Sequence, residues 1–284
     1  MMRLLLRAGV PALAAAAALA APCSADTVSL RPVADGTLIQ PNDGNQYALG
    51  AAYNIYCGRV GVNGGSTLRR ALVRFDLSSI PAGSRILSVS LRAYMSQTNS
   101  GSHNCALHRM LEPWGEGTSF AFGGGGTAPE ANDATWVHRF WPATTWSVPG
   151  GVFAQASSAV KPVAGAGSYT WSTTAALVAD VQAWVNSPAQ NYGWVMVGNE
   201  ATLESAKRFE SRESGDVTRH PTITITYSPP TAPPGDLNGD SRVDGADIGV
   251  LLSAWGQAGG PADLNGDGIV GGADLTVVLT NWSA

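Results

Sequence analysis

The last part of the chain, residues 235–284, contains one twelve-residue pattern written twice, 27 positions apart. The first copy begins at Asp236 and the second at Asp263. Each copy carries oxygen-bearing side chains at positions 1, 3, 5 and 12, the spacing with which a loop can surround Ca²⁺, a hard cation that prefers oxygen ligands. Position 7 contributes its backbone carbonyl, so its side chain is unconstrained. Matched spacing in the two copies disfavours the alternative that both are plain Asp/Asn/Gly turns.

The sequence therefore predicts two calcium sites. The ligand positions are Asp236, Asn238, Asp240, Arg242 (carbonyl), Asp244 and Asp247 in the first loop, and Asp263, Asn265, Asp267, Ile269 (carbonyl), Gly271 and Asp274 in the second. Ser241 occupies position 6, where the turn favours Gly because a non-glycine residue at positive φ costs about 1 kcal/mol. Gly271 has no side chain, so a water would replace the ligand link at that position.

A helix with one apolar face is expected after each loop. The apolar positions are Ile248, Leu251, Leu252 and Trp255 after the first loop, and Leu275, Val278, Leu279 and Trp282 after the second. With Asp instead of Glu at position 12, and a single helix after each loop, residues 235–284 resemble a dockerin. The resemblance implies a small α-helical domain folded by two Ca²⁺ ions and a cohesin-like partner protein.

The N-terminus has the composition of an export signal. Arg3 and Arg7 precede an Ala/Leu-rich run from Ala8 to Ala21, and small residues at 23–25 suit a cleavage site. The apolar run is short and contains Pro11, which disfavours the alternative of a membrane span. We therefore expect a signal peptide over 1–25, a secreted or cell-surface protein, and no membrane span in the mature chain.

Removal of that signal leaves two cysteines, Cys57 and Cys105. In an oxidising compartment an even pair favours a disulfide, and the alternative is two separate buried thiols. The chain is acidic, with a formal net charge of −4 and only 13% charged residues. This balance gives no basic surface for nucleic acid.

The Pro-rich segment 229–234 predicts a stiff linker, because Pro cannot donate to a sheet interior. It separates the C-terminal domain, 235–284, from a module over 26–228. In that module Ile86–Met95 alternates with period two, placing Leu87, Val89 and Met95 on one face. Ala71–Asp76 and Thr222–Tyr227 alternate similarly.

One segment has helical spacing instead. Leu177, Val181 and Trp184 lie on one helix face, Thr173 or Thr174 can cap it, and Pro188 follows its end. The predicted fold class is mainly β, an antiparallel β-sandwich or jelly roll with one short helix, plus the small α calcium-binding domain.

Several runs within 27–228 resemble the DNRLRE domain and the related carbohydrate-binding module family 96. They are 68–81 (LRRALVRFDLSSIP), 114–117 (WGEG), 133–136 (DATW), 178–185 (VADVQAWV), 191–194 (NYGW), 206–213 (AKRFESRE) and 221–227 (PTITITY). The literal six-letter name motif is absent. The resemblance implies a non-catalytic β-jelly-roll on secreted proteins, some of which bind acidic polysaccharides such as alginate.

Two residue classes could bind a polysaccharide. Of the central tryptophans at 114, 136, 141 and 146, we expect three to be buried, and Trp141 and Trp146 are the candidates for stacking on sugar rings. Guanidinium and ammonium groups suit uronate carboxylates. The basic candidates are Arg74, Lys207, Arg208 and Arg212, with Arg69 and Arg70 nearby. The alternative is pairing with Glu204, Glu210 and Glu213.

An enzyme is the less favoured reading. A glycosidase needs two carboxylates, and Glu116 and Asp133 are the nearest pair, although such residues more often hold loops or bind a structural Ca²⁺. We find no His-Glu-x-x-His or Gly-x-Ser-x-Gly motif. The sequence thus predicts a secreted, non-catalytic protein whose β-module associates with polysaccharide and whose dockerin-like domain binds a cohesin-like partner. A structural or adhesive surface protein, and a polysaccharide hydrolase or lyase, stay as alternatives.

Overall fold

The computed structural model describes residues 25–230 and 232–283. The predicted signal peptide, apart from Ala25, lies outside these residues, as does Thr231 of the linker. Within them the protein is mainly β with antiparallel strand pairing and three short α-helices, which confirms the mainly β, antiparallel part of the prediction. None of the described helices combines the length and the apolar composition of a membrane-spanning segment.

The described residues form thirteen strands, which are two to fourteen residues long. They are β1 (Asp26–Leu30), β2 (Pro32–Ile39), β3 (Asn54–Arg59), β4 (Leu68–Phe75), β5 (Arg85–Thr98), β6 (His103–Arg109), β7 (His138–Phe140), β8 (Thr144–Thr145), β9 (Ala159–Val163), β10 (Gly167–Trp171), β11 (Trp194–Val197), β12 (Lys207–Glu210) and β13 (Thr222–Ser228). The helices are α1 (Ala175–Asn186), α2 (Gly245–Ser253) and α3 (Gly272–Thr280). Val62–Gly64 and Pro188–Gln190 form single 3₁₀ turns.

Eleven of these strands form one curled sheet. Its order is β1-β13-β5-β12-β3-β4-β11-β6-β9, with β10 on β5 and β2 on β4, and β7 and β8 form a separate hairpin. Apolar side chains from β13 and β5 near one end and from β11, β6 and β9 near the other meet in a single buried cluster, together with α1. A sheet whose two ends share one core is compatible with a jelly roll.

The predicted alternation along β5 is correct except at its start. Val89, Leu91, Ala93 and Met95 are buried, but Leu87 is exposed and Ile86 is buried in its place. The pairing of β5 with β13 shifts by one residue there, a β-bulge. A bulge inserts one extra residue and therefore reverses the face of the residues beyond it.

Strand β4 departs from simple alternation because both its faces are covered. Ala71, Val73 and Phe75 join the main core, and Leu72 on the opposite face joins a second buried cluster. That second cluster lies beneath the long segment 110–137 and contains three tryptophans, Trp114, Trp136 and Trp146.

Helix α1 forms where its spacing predicts it. Thr174 is the N-cap, and its hydroxyl accepts a hydrogen bond from the Leu177 N–H at 3.0 Å. The helix ends at Asn186, before Ser187 and Pro188. Its buried face packs on β5, which closes the main core.

Candidate metal centre

The two C-terminal loops adopt closely matching conformations. In the first, the Asp236 carboxylate accepts hydrogen bonds from the N–H groups of Gly239 (2.7 Å) and Ser241 (2.8 Å). In the second, Asp263 accepts from Gly266 and Gly268, both at 2.9 Å. The side chains at positions 3 and 5 also accept from loop N–H groups in both copies. The backbone thus wraps around a set of oxygen atoms, as a calcium loop does.

Position 12 anchors each loop to the helix that follows. Asp247 and Asp274 are fully buried. Burial tends to raise the pKa of Asp247, but hydrogen bonds from the N–H groups of Asp244, Leu237 and Asn238 outweigh it and lower the pKa. The pKa of Asp274 is likewise lowered, chiefly by the N–H of Gly271. Both carboxylates are therefore held ionised, which a cation ligand requires.

Position 6 carries the strain that the sequence predicts. Ser241 has φ 68°, in the left-handed region, whereas the second loop has Gly268 there with φ 94°. The first loop therefore pays a backbone cost that the second avoids.

Each loop is closed by a segment from the other copy. The N–H of Ser283, which follows α3, donates to the carbonyl of Val243 in the first loop at 2.8 Å. The N–H of Gly256, which follows α2, donates to the carbonyl of Val270 in the second loop at 2.9 Å. Ser283 is 27 positions after Gly256, and Val270 is 27 positions after Val243, so the two hydrogen bonds are equivalent in the repeat. The duplicated sequence therefore folds as two interlocked halves.

Residues of both copies also pack together in a small apolar cluster. Its members come largely in equivalent pairs from the two copies: Val243 with Val270, Leu251 with Val278, Leu237 with Leu264, and Ile248 with Leu275. The remaining predicted helix positions do not join it. Leu252, Trp255, Leu279 and Trp282 are 45–55% exposed, so half of the predicted apolar face lies in solvent.

The loop residues supply the oxygen donors that Ca²⁺ requires, so their chemistry fits the ion. Their carboxylates are nevertheless more widely spaced than those of another group. Among the described residues, one set of three acidic side chains is closely spaced: Asp35, Glu116 and Glu213. Each contributes a carboxylate oxygen that lies within 4.8 Å of the other two. Binding of an ion in the loops therefore requires their carboxylates to approach one another.

The acidic cluster (Asp35, Glu116 and Glu213) lies in the β-region. Burial, and then the charge of Glu213, hold the pKa of Asp35 well above its usual range. Burial also raises the pKa of Glu213. Arg212 binds Glu116 through Nε (2.8 Å) and a second guanidinium nitrogen (2.5 Å) and contacts Glu213 at 2.8 Å. The sequence offers Glu116 as a possible catalytic carboxylate, or more often as one that holds a loop or binds a structural Ca²⁺. Its partners Asp35 and Glu213 are distant in sequence, so spacing along the chain does not predict them.

Asp133, the other acidic candidate, holds the same region together. It is fully buried and accepts hydrogen bonds from the N–H groups of Glu130 (2.6 Å) and Ser119 (3.4 Å). Burial raises its pKa. The carboxylate therefore serves the loop 110–137, which is the structural role that the sequence favours.

Lys207 is misassigned by the sequence reading as a ligand-binding residue. It is completely buried, and its ammonium donates to Gly101 O (2.6 Å), Thr98 Oγ1 (3.0 Å) and other oxygens of the 98–101 turn. Burial lowers its pKa. A polysaccharide outside the protein cannot reach this group, because alternation along the short β12 points Lys207 inward and Arg208 outward.

The arginines mostly make internal contacts. Arg70 pairs with Glu200 at 2.7 Å and lies 4.8 Å from the Trp136 ring. Arg74 lies 5.5 Å from the ring centroid of Trp114. Burial lowers the pKa of Arg69 to about 10. Of the carboxylates that the pairing alternative names, Glu213 is the one that pairs with an arginine of the described residues, Arg212.

Three of the four central tryptophans are buried, as expected. The prediction that Trp146 stacks on a sugar ring is therefore wrong. Trp146 is buried in the second cluster, where its indole N–H donates to Thr135 O at 2.9 Å. Trp141 is partly exposed and packs edge-on against His138 at 4.6 Å, so it stays a candidate.

Sequence reasoning missed an exposed aromatic cluster. The rings of Tyr53, Phe120 and Phe122 contact one another edge-on at 5.0–6.2 Å, and Phe122 is 83% exposed. The signal was present as Phe-Ala-Phe directly before the glycine run 123–126. Gly123 lines a cleft of about 310 Å³ whose walls include Tyr56 and Arg208.

The cysteine pair is close together. Cys57 and Cys105 are buried thiols with their sulfurs 3.7 Å apart. They are unbridged in this structure, since a disulfide needs about 2.05 Å. The structure thus places the two residues side by side, and the disulfide itself stays a prediction.

Comparisons with known proteins identify no family. No protein-family model matches the chain, and no curated protein matches it. The dockerin and DNRLRE resemblances therefore rest on the sequence runs themselves.

Proposed function

We propose that residues 235–284 are a calcium-dependent docking domain of the dockerin type that joins a secreted β-module to a cohesin-like partner. The observation that carries the proposal is the exchange of closing segments between the two loops, Ser283 to Val243 and Gly256 to Val270. Because each loop is completed by the other copy, an ion bound in either loop stabilises both halves. Ligation energy then contributes directly to folding of a domain whose own core is small.

The surface available to a partner is apolar and duplicated. Leu252 and Leu279, at equivalent positions of α2 and α3, are 55% and 54% exposed, and Trp255 and Trp282 follow them at 48% and 45%. Tryptophan is enriched among interface anchors, and an exposed apolar patch often marks an interaction site. They support a protein partner for this domain.

Binding of the full-length chain to a panel of cohesin-like proteins, with calcium and with chelator, tests the proposal. We expect association only with calcium, and a loss of at least about ten-fold, or about 1.4 kcal/mol, in the Leu252→Ser/Leu279→Ser double variant. Val217→Ser is the matched control, because Val217 is a similarly exposed apolar residue in the β-region. Association that survives chelation would contradict the proposal.

For the β-module, over 26–228, we propose association with an extracellular polysaccharide. The supporting observation is the cleft that Tyr56 and Arg208 line together with Gln97 and Asn99, bordered at Gly123 by the exposed aromatic cluster. Rings can stack on sugar faces, while guanidinium and amide groups bind hydroxyls or uronate carboxylates. Arg208 is retained from the sequence candidates because it lines this cleft.

Depletion of the full-length chain by immobilised polysaccharides, including alginate and pectin, tests this second proposal. Arg208→Ala and Phe122→Ser should each weaken selective binding about ten-fold, equivalent to about 1.4 kcal/mol. Arg85→Ala and Val148→Ser are the controls, since both residues are exposed and neither lines the cleft. Binding to no polysaccharide would favour the structural or adhesive alternative.

The contacts of Glu116 and Asp133, the two candidate catalytic carboxylates, support a non-catalytic role. Glu116 forms a bidentate pair with Arg212, and Asp133 is buried within its loop. A hydrolase would release new reducing ends and a lyase unsaturated products. Either product, abolished by Glu116→Gln or Asp133→Asn, would establish the enzyme alternative.

A further inference from the structure

The acidic cluster joins three segments that are far apart in sequence. Asp35 lies on β2, Glu116 in the long segment 110–137 between β6 and β7, and Glu213 in the turn after β12. One oxygen from each carboxylate lies within 4.8 Å of the others. The Asp35 N–H also donates to Glu116 Oε1 at 2.7 Å, and the Arg212 N–H donates to Asp35 Oδ2 at 2.8 Å.

Close backbone packing fixes Glu116 in this position. A Cβ on Gly115 would overlap the Asn132 carbonyl, and one on Gly117 would overlap the Asp133 carboxylate. A Cβ on Gly50 would overlap the carbonyl of Glu116 itself. The glycines on both sides of Glu116 therefore let the chain approach β2 closely enough to direct its carboxylate at Asp35.

Two oxygens of the cluster lack a hydrogen-bond partner. They are Asp35 Oδ1, on a side chain that is 0% exposed, and Glu213 Oε2. A buried carboxylate oxygen without a donor is costly, because it has lost water and gained nothing in return. Three carboxylates also face the single guanidinium of Arg212, which leaves an excess of two negative charges when all three are ionised.

We propose that Asp35, Glu116 and Glu213 bind one Ca²⁺ ion, separate from those of the C-terminal loops, that fixes the segment 110–137 and the turn after β12 to β2. The ligands are carboxylate oxygens alone, which hard cations prefer. Oxygens on opposite sides of an ion are separated by twice the metal–oxygen distance, about 4.8 Å for Ca²⁺ and about 4.2 Å for Mg²⁺. The three oxygens lie within 4.8 Å of one another, so one ion can contact all of them. Ca²⁺ suits this set because it accepts several carboxylates in flexible geometry, whereas Mg²⁺ demands a near-ideal octahedron and usually takes one or two carboxylates.

Counting bound ions in a chain with silenced loops isolates this site. The full-length variant Asp236→Ala/Asp240→Ala/Asp263→Ala/Asp267→Ala removes loop ligands and leaves the cluster intact. Equilibrium dialysis against radioactive Ca²⁺ should still find one ion per chain. Adding Asp35→Asn and Glu213→Gln, which keep side-chain shape, should remove that ion, whereas adding Asp26→Asn, an exposed aspartate, should not.

The outcomes separate this inference from the proposed function. A loop-silenced chain that binds no calcium would overturn the cluster site and leave the docking domain untouched. The same follows if the ion persists after Asp35→Asn/Glu213→Gln, because it would then be bound elsewhere. Circular dichroism of the wild type and variants checks that the β-fold is retained. Absence of bound calcium in the loop-silenced chain overturns the cluster site even where the cluster variant does not fold.

Discussion

Replacing Leu251 by Ala should make the folding of residues 235–283 dependent on calcium. Leu251 is completely buried in a cluster that has only five buried members. A buried Leu→Ala change costs about 2–5 kcal/mol, which a core of this size cannot absorb on its own. We therefore expect the C-terminal segment of this variant to be unfolded with chelator while the β-region stays folded.

Calcium should restore the variant. An ion at one hundred times its dissociation constant stabilises the folded state by about 2.7 kcal/mol, so two sites supply about 5 kcal/mol. That gain is similar to the largest expected cost of the Leu251→Ala cavity. The adjacent Leu252 is 55% exposed, so Leu252→Ala serves as a matched control that should change stability little.

Pulse proteolysis of the full-length chain across a calcium series measures this effect. Cleavage within 235–283 reports the unfolded fraction of the segment. Leu251→Ala should be cleaved with chelator and protected at saturating calcium, whereas Leu252→Ala should follow the wild type. Equal cleavage of the two variants would refute the assignment of the small core, and cleavage independent of calcium would refute its coupling to the loops.

Three further predictions concern the β-region. Lys207→Met should destabilise it by about 2 kcal/mol, because the carbonyls of the 98–101 turn lose a buried donor. Burial lowers the pKa of Lys207 in the folded chain below its ordinary value of 10.5. Between these two pKa values the unfolded chain binds more protons than the folded one, so the free energy of unfolding rises with pH. Urea titrations across this pH window should show the rise for the wild type relative to Lys207→Met. Gly50→Ala should cost about 1–3 kcal/mol by overlap with the Glu116 carbonyl, in contrast to Gly101→Ala, which has open space. Protein exported to an oxidising compartment should carry a Cys57–Cys105 bridge worth about 4 kcal/mol; alkylation of both thiols in denatured, unreduced protein would contradict it.

Local sequence patterns predicted much of the fold. The helical spacing around Leu177 and the cap at Thr174 specified α1, since both signals depend only on neighbouring residues. Alternation specified most of β5 and β13. It failed at Leu87 because the bulge depends on the partner strand.

The candidate sites were less predictable. Composition suggested that Lys207 and Trp146 could meet a ligand, but burial depends on which face of a strand or loop the fold covers. The acidic cluster combines residues 35, 116 and 213, so no spacing rule relates them. The C-terminal loops could be predicted because each places its candidate calcium ligands within twelve consecutive residues. The hydrogen bonds by which each copy closes the loop of the other are seen only in the structure.

Hydrogen exchange of the full-length chain, with calcium and with chelator, tests the central claim most directly. The N–H groups of Leu237 and Asn238, and of Leu264 and Asn265, are bound to the position 12 carboxylates. Calcium should slow exchange in both loops and in α2 and α3 together, and leave peptides from β5 unchanged. Identical exchange in the two conditions would contradict a calcium-dependent docking domain.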